Sequence, residues 1–168
     1  MLDQDTVIKD ILDWCENFVE KPHPALGGWP PCPYARSARL KNTIGIFTGS
    51  DPYYDLKNRA QWGMMQYEVI VYAYNPTEWP YDLFSSSIEQ ANEECLLHKD
   101  LLALEDHPDD PEIVNGVSMN QGKYALALVQ SLSDLDTRAK QMADKGFYDK
   151  WPEEYLVPLF KHRKDPRL

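Results

Sequence analysis

Apolar residues recur every three to four positions between residues 4 and 20. Val7, Ile8, Ile11, Leu12, Cys15, Phe18 and Val19 form one stripe and predict an amphipathic helix with Cys15 in the core. Asp3 and Asp5 suit its positive N-terminal end, and Pro22 stops it. Residues 21–42 lose the period: proline and glycine dominate, and an irregular loop is expected. Ile44, Ile46 and Phe47 predict a short strand over 43–48. Asp51 then reads as an N-cap with Pro52 at the first helical position, opening a helix with Tyr53, Leu56, Ala60 and Met64 on one side. The run Tyr67–Tyr74 is nearly continuous in apolar character, which predicts a central strand covered on both faces.

The helical period returns over 82–97 through Phe84, Ile88, Ala91 and Cys95, which places Cys95 in the core as well. Residues 100–105 read as a strand, cut off by His107-Pro-Asp-Asp-Pro, and 106–122 as a long polar connection. A fourth strand follows over 124–130. Ser133 and Asp136 form a capping-box pattern for a helix carrying Leu135, Ala139, Met142 and Ala143, closed by Gly146. Trp151-Pro-Glu-Glu opens a last helical segment that Pro158 must shorten or kink. The order α-β-α-β-α-β-β-α-α predicts an α+β protein with α/β-like crossovers: a four-stranded mixed sheet with helices packed on it, in one domain over 1–168.

Composition narrows the function classes. Apolar content of 43% and aromatic content of 12% exclude a disordered chain. The net charge of −10 disfavours a nucleic-acid partner, whose phosphates need clustered cations. No apolar run approaches the roughly 20 residues that span a bilayer, and the N-terminus is acidic where a secretory signal is basic. Three widely spaced cysteines build neither a disulfide framework nor a zinc knuckle, so a cytoplasmic protein is expected. The charge is uneven: residues 82–112 hold ten acidic side chains against one lysine, whereas the tail 161–168 holds four basic against one acidic. Oligomeric state is not legible.

Candidate chemistry centres on Pro30-Pro-Cys-Pro-Tyr-Ala-Arg-Ser-Ala-Arg-Leu40. Pro31 and Pro33 fix the backbone on either side of Cys32, while Arg36, Arg39 and Lys41 lie close enough in sequence to favour its thiolate. The simpler reading of Cys32 is a small buried residue ending a rigid loop. A nucleophilic cysteine needs a base, and His107 is the candidate; the two share a sheet end only if the first and third strands are antiparallel or the long loop folds back. Tyr34, Arg36 and Arg39 would bind substrate, as aromatic wall and anion clamps. A divalent-metal set of His107, Asp109, Asp110 and Glu112 is a weaker reading than a solvated acidic loop, and no metal site is assigned. Neither G-x-G-x-x-G nor G-x-x-x-x-G-K-[ST] occurs, so no cofactor is assigned.

Cys32-Pro33-Tyr34-Ala35, the β-α units that follow, and Leu104-Glu-Asp-His107-Pro108 resemble an uncharacterised bacterial family of small α/β proteins marked by a Cys-Pro-Phe-Ala motif. The segment Gly146-Phe-Tyr-Asp-Lys-Trp-Pro-Glu-Glu-Tyr155 resembles small hypothetical proteins of marine cyanobacterial phages. The family's Asn-Arg-Ser-Pro-Tyr-Pro stretch is replaced here by Asn115-Gly-Val-Ser-Met-Asn120, and the resemblance supplies no activity. Cys-Pro-Tyr-Ala is also similar to the glutaredoxin motif with its second cysteine lost, but Pro24–Pro31 cannot form the strand that such a site requires. Two functions follow as expectations. The first is a small enzyme with a Cys32/His107-lined pocket acting on a small, anionic molecule. The alternative is a non-enzymatic acidic interaction protein, a phage protein that binds a host assembly being one form of it.

Overall fold

In a computed structural model describing residues 1–168, Asp3 caps α1 (Gln4–Trp14) by accepting the Thr6 N–H at 2.9 Å. A π-helical turn, Cys15–Val19, extends α1 to the predicted end. The stretch 21–42 departs from expectation: Ala35–Leu40 form a short helix, α2, that buries Ala38. Asp51 accepts from Tyr54 N–H and Pro52 opens α3 (Pro52–Trp62), as the pattern predicts. Helix α4 (Tyr81–Ala91) continues through a π-turn to Leu96. Helix α5 (Leu132–Asp144) starts earlier than its expected cap, because Ser131 takes that role while Ser133 N–H donates to Asp100. Helix α6 (Glu153–Leu159) carries Pro158 in its last turn and ends there.

Six strands form: β1 (Ile44–Thr48), β2 (Val69–Tyr74), β3 (Leu101–Asp106), β4 (Ile113–Val114), β5 (Val117–Ser118) and β6 (Ala125–Ser131). The hairpin β4-β5 lies inside the stretch read as a long polar connection. The main sheet runs β1-β2-β6-β3, with β1 and β2 parallel and β6 antiparallel to both β2 and β3. It is a mixed four-stranded sheet, and β1, β2 and β3 all point the same way.

Alternation of side chains divides the sheet into two faces. On the first, Ile70, Tyr72 and Tyr74 of β2 join Ala125, Ala127 and Val129 of β6 and Leu101 and Ala103 of β3. Helices α3 and α4 close this layer with Leu56, Phe84, Ile88 and Ala91, all of them buried. On the second face, α1 lays Val7, Ile11 and Cys15 over Ile46, Val71, Ala73 and Leu126. A third cluster, Ala139, Phe147, Tyr148, Leu156 and Phe160, ties α5 to α6 beside Trp29.

Each outer edge of the sheet has one rung filled by an amide side chain. Gln4 donates to Ile46 O at 2.7 Å and accepts from Thr48 N–H at 2.8 Å, the pairing a parallel neighbour would supply. Buried Asn92 donates to Ala103 O at 3.0 Å and accepts from Ala103 N–H at 2.8 Å, the pairing of an antiparallel neighbour. No helix is long and apolar enough to cross a membrane.

Candidate functional site

Helix α1 covers only part of the second face, and α5, α6 and the tail arch over the rest. Between them lies a cleft of about 900 Å³, with Leu102, Leu104 and Leu128 as its apolar floor. Polar side chains stand at both of its ends, and Glu89, Lys161 and His162 lie along the wall between them.

One end lies where β3 finishes. Asp106 projects on the same face as Leu102 and Leu104, is buried, and accepts from Asn120 Nδ2 at 2.8 Å and from Gln121 N–H at 2.9 Å. Burial still holds its carboxyl above the usual range. Asn120 organises this end: its Oδ1 takes the Glu112 N–H at 2.7 Å while its Nδ2 also faces the carbonyls of His107 and Asp110. Glu112 is thereby fixed in the cleft wall, with Tyr155 of α6 donating to its Oε2 at 3.4 Å. Burial, and then the charges of Asp106 and Asp110, push its carboxyl up to about 7. Burial and the Glu112 charge push the Tyr155 hydroxyl up in turn. Glu105 sits on the rim, raised by burial, and accepts from Ser85 Oγ at 2.8 Å. No lysine or arginine reaches Asp106, Asp110 or Glu112; Lys161 and His162, also on the cleft wall, are both held by Glu89 at 3.0 and 2.7 Å.

The other end holds Cys32, whose N–H donates to Val19 O at 3.2 Å. The residue is half-buried and lines the cleft, yet its sulfur is enclosed. Burial pushes the thiol up; the N–H groups of Tyr34 and Ala35 and the Arg138 charge pull the other way without prevailing. Arg138 donates to Glu68 at 3.0 Å and lies over the Tyr34 ring at 5.1 Å. Tyr34 lines the cleft, with its hydroxyl on Gln141 at 3.1 Å. Arg163 completes this end from the tail. Its side chain is only 5% exposed, its Nε makes no hydrogen bond, and its nearest carboxylate, Asp136, stands 3.9 Å away.

The structure rearranges the predicted site. Cys32 and Tyr34 border the cleft, but Arg36 is exposed and outside it, and Arg39 is drawn off to Glu20 by contacts of 2.6 and 3.0 Å. The cation beside Cys32 is Arg138, which nothing in its sequence neighbourhood marks. His107 does not meet Cys32. With β1 and β3 parallel, Cys32 lies by the N-terminal ends of the strands and His107 follows a C-terminal end. The His107 ring is buried against Tyr81 and Phe84 and both its nitrogens are committed, Nδ1 accepting from Asp109 N–H at 3.0 Å and Nε2 donating to Trp79 O at 2.8 Å. It is a structural residue that turns the chain out of β3. The set His107, Asp109, Asp110 and Glu112 is likewise not assembled, since Asp109 faces solvent. The His/carboxylate group with metal-ligand spacing is instead Glu89, Glu93 and His162, within 4.8 Å, and there Lys161 already supplies a cation. Cys15 and Cys95 are buried as expected, and burial pushes the Cys15 thiol up to about 12.

Comparison with family models, with curated proteins and with solved structures gives no match to this chain. The reading of the site therefore rests on its own geometry.

Proposed function

We propose that this chain is a small cytoplasmic enzyme whose cleft binds a small molecule and moves a proton on it, with Glu112 as the acid or base. One observation carries the reading. A carboxyl group without a cationic partner is held in the wall of a largely apolar cleft, where burial and two neighbouring carboxyls bring its titration close to neutral pH. A general acid or base works best when its pKa lies near the working pH, and an apolar pocket with a few convergent polar groups is the ordinary form of a small-molecule site. Asn120 and Tyr155 orient the group. Cys32 and Arg138 at the far end serve binding in this reading, because an enclosed, raised thiol is a poor nucleophile. The resemblance to the Cys-Pro-Phe-Ala proteins is compatible with this reading and adds no reaction to it.

Carboxyl-detected NMR titration of the native protein against Glu112→Gln tests the reading. One carboxyl resonance titrating near neutrality, lost in the variant, is expected; a Glu112 that titrates as an ordinary surface glutamate would overturn it.

The interaction-protein alternative keeps one favourable observation, the exposure of Trp62 (71%) and Met65 (65%) around the end of α3. Its charge argument weakens, because Lys161, Arg163 and Arg167 of the basic tail face carboxylates of the same chain. A partner released by Trp62→Ala at unchanged salt would restore it.

A further inference from the structure

The two ends of the cleft differ in what they lack. At the β3 end, Asp106, Asp110 and Glu112 gather with no lysine or arginine against them, and Tyr81, Tyr155 and Trp151 supply aromatic walls. Carboxylates and aromatic faces together favour a cation, through charge and through the ring quadrupole. At the Cys32 end two arginines face one carboxylate each, Arg138 holding Glu68 at 3.0 Å and Arg163 standing 3.9 Å from Asp136, so only Arg163 is left short of a hydrogen-bond acceptor. The Arg163 side chain is only 5% exposed and its Nε is without an acceptor, while its Nη2 reaches Leu135 O at 3.5 Å and the guanidinium lies beside the Tyr148 hydroxyl and over the Phe160 ring at 5.0 Å. A buried N–H donor without a partner is costly, and an anionic oxygen in the cleft would remove that cost. Tyr148 lies beside Arg163, Cys32 and Tyr34, so these groups share one end of the cleft.

The floor between them is hydrocarbon. Glu68, which holds Arg138, precedes Ile70, the partner of Val129, so the arginine end lies near the level of Leu102; Asp106 is four residues further along β3. At about 3.3 Å per residue the separation is roughly 13 Å.

We propose, building on the reading of this cleft as a binding site, that its ligand is an elongated zwitterion: a protonated amine among Asp106, Asp110 and Glu112, an anionic group at Arg163 and Arg138, and an apolar spacer over Leu102, Leu104 and Leu128. The simplest probe of that shape is 11-aminoundecanoate. Undecanoate lacks the amine, undecylamine lacks the carboxylate, and 6-aminohexanoate has both but is too short.

Calorimetric titration of the full chain at pH 8 with the four probes, each below its aggregation limit, tests the assignment. The long amino acid should bind at least about tenfold more tightly than the other three. Glu112→Gln should remove most of that advantage while leaving undecanoate unchanged, and Arg163→Met should weaken undecanoate while leaving undecylamine unchanged. If Arg163→Met does not fold, as judged by circular dichroism, Arg138→Met takes its place. A bound amine also stabilises the Glu112 carboxylate, so by linkage the probe should move the Glu112 resonance to titrate at lower pH, a shift undecanoate should not produce. Equal affinities for the amino acid and undecanoate, or no binding by any probe, would overturn the ligand class. Either result beside a Glu112 that still titrates near neutrality would leave the acid–base reading standing; an ordinary Glu112 titration would remove both.

Discussion

The two faces of the sheet are covered in different ways. On the first, α3 and α4 come from the β-α-β crossovers and seat Leu56, Phe84 and Ile88 directly on the strands, leaving an apolar layer closed to solvent. On the second, α1 covers one half, whereas α5 and α6 pack chiefly on each other and on Trp29, arching over β6 and β3. Crossover helices are drawn onto the sheet by short connections at both ends, but a C-terminal helical pair with its own aromatic cluster can stand off. The gap it leaves is the cleft. One face thus forms a sealed core and the other leaves an open cleft.

Truncation across the two faces should give the largest difference. Phe84→Ala removes a side chain with no exposed surface and should cost about 3–5 kcal/mol. Leu104→Ala opens a position that already borders the cleft and should cost about 1–2 kcal/mol, since less burial is lost and no sealed void is made. Urea denaturation of both variants measures the gap; equal costs would mean that the second face is as tightly filled as the first.

The carboxyl end sharpens the comparison through pH. Folding raises Glu112 from an ordinary 4.5 to about 7, so the folded state keeps a proton that the unfolded chain releases. Stability is therefore unaffected by this group below about pH 4.5, falls as pH rises through the window between those values, and levels off above about 7. Asp106 and Glu105, also raised, act in the same direction. Relative to the parent, Glu112→Gln should gain up to about 3 kcal/mol at pH 8 and nothing at pH 4, as read by thermal unfolding at each pH. A gain at both pH values would point to packing instead of charge.

The smallest effect is expected at Cys32. Because burial outweighs its cation and N–H neighbours, alkylation at pH 8 should be slower than that of a free thiol, with Cys15 and Cys95 slower still in the folded protein. Faster-than-free alkylation of Cys32 would restore the nucleophile reading.

How much of this was legible in the sequence depended on the range of the forces involved. Strand β2 and the stripes of α1, α4 and α5 are local hydrophobic periods and stand where the pattern placed them. Helix α2 was hidden because it is six residues long and follows three prolines, so no full period could accumulate. The hairpin β4-β5 was hidden in a polar segment whose order comes from Asn115 reaching Ala25 and Lys150, and from Asn120 bonding the loop before it. At the site, Cys32 and Tyr34 were found because proline and charge mark them locally. Arg138, Arg163 and Tyr155 arrive from α5, the tail and α6, and only the long-range path of the chain could reveal them. The pairing of Cys32 with His107 failed on strand direction, which depends on where β6 inserts and so cannot be read from either residue.

The amides of Gln4 and Asn92 carry a consequence for life in a crowded cell. Each imitates one rung of a missing neighbour, parallel at one margin and antiparallel at the other. A foreign peptide would have to evict a bonded amide before it could zip along the full length of either border, which raises the cost of ribbon-like growth from copy to copy.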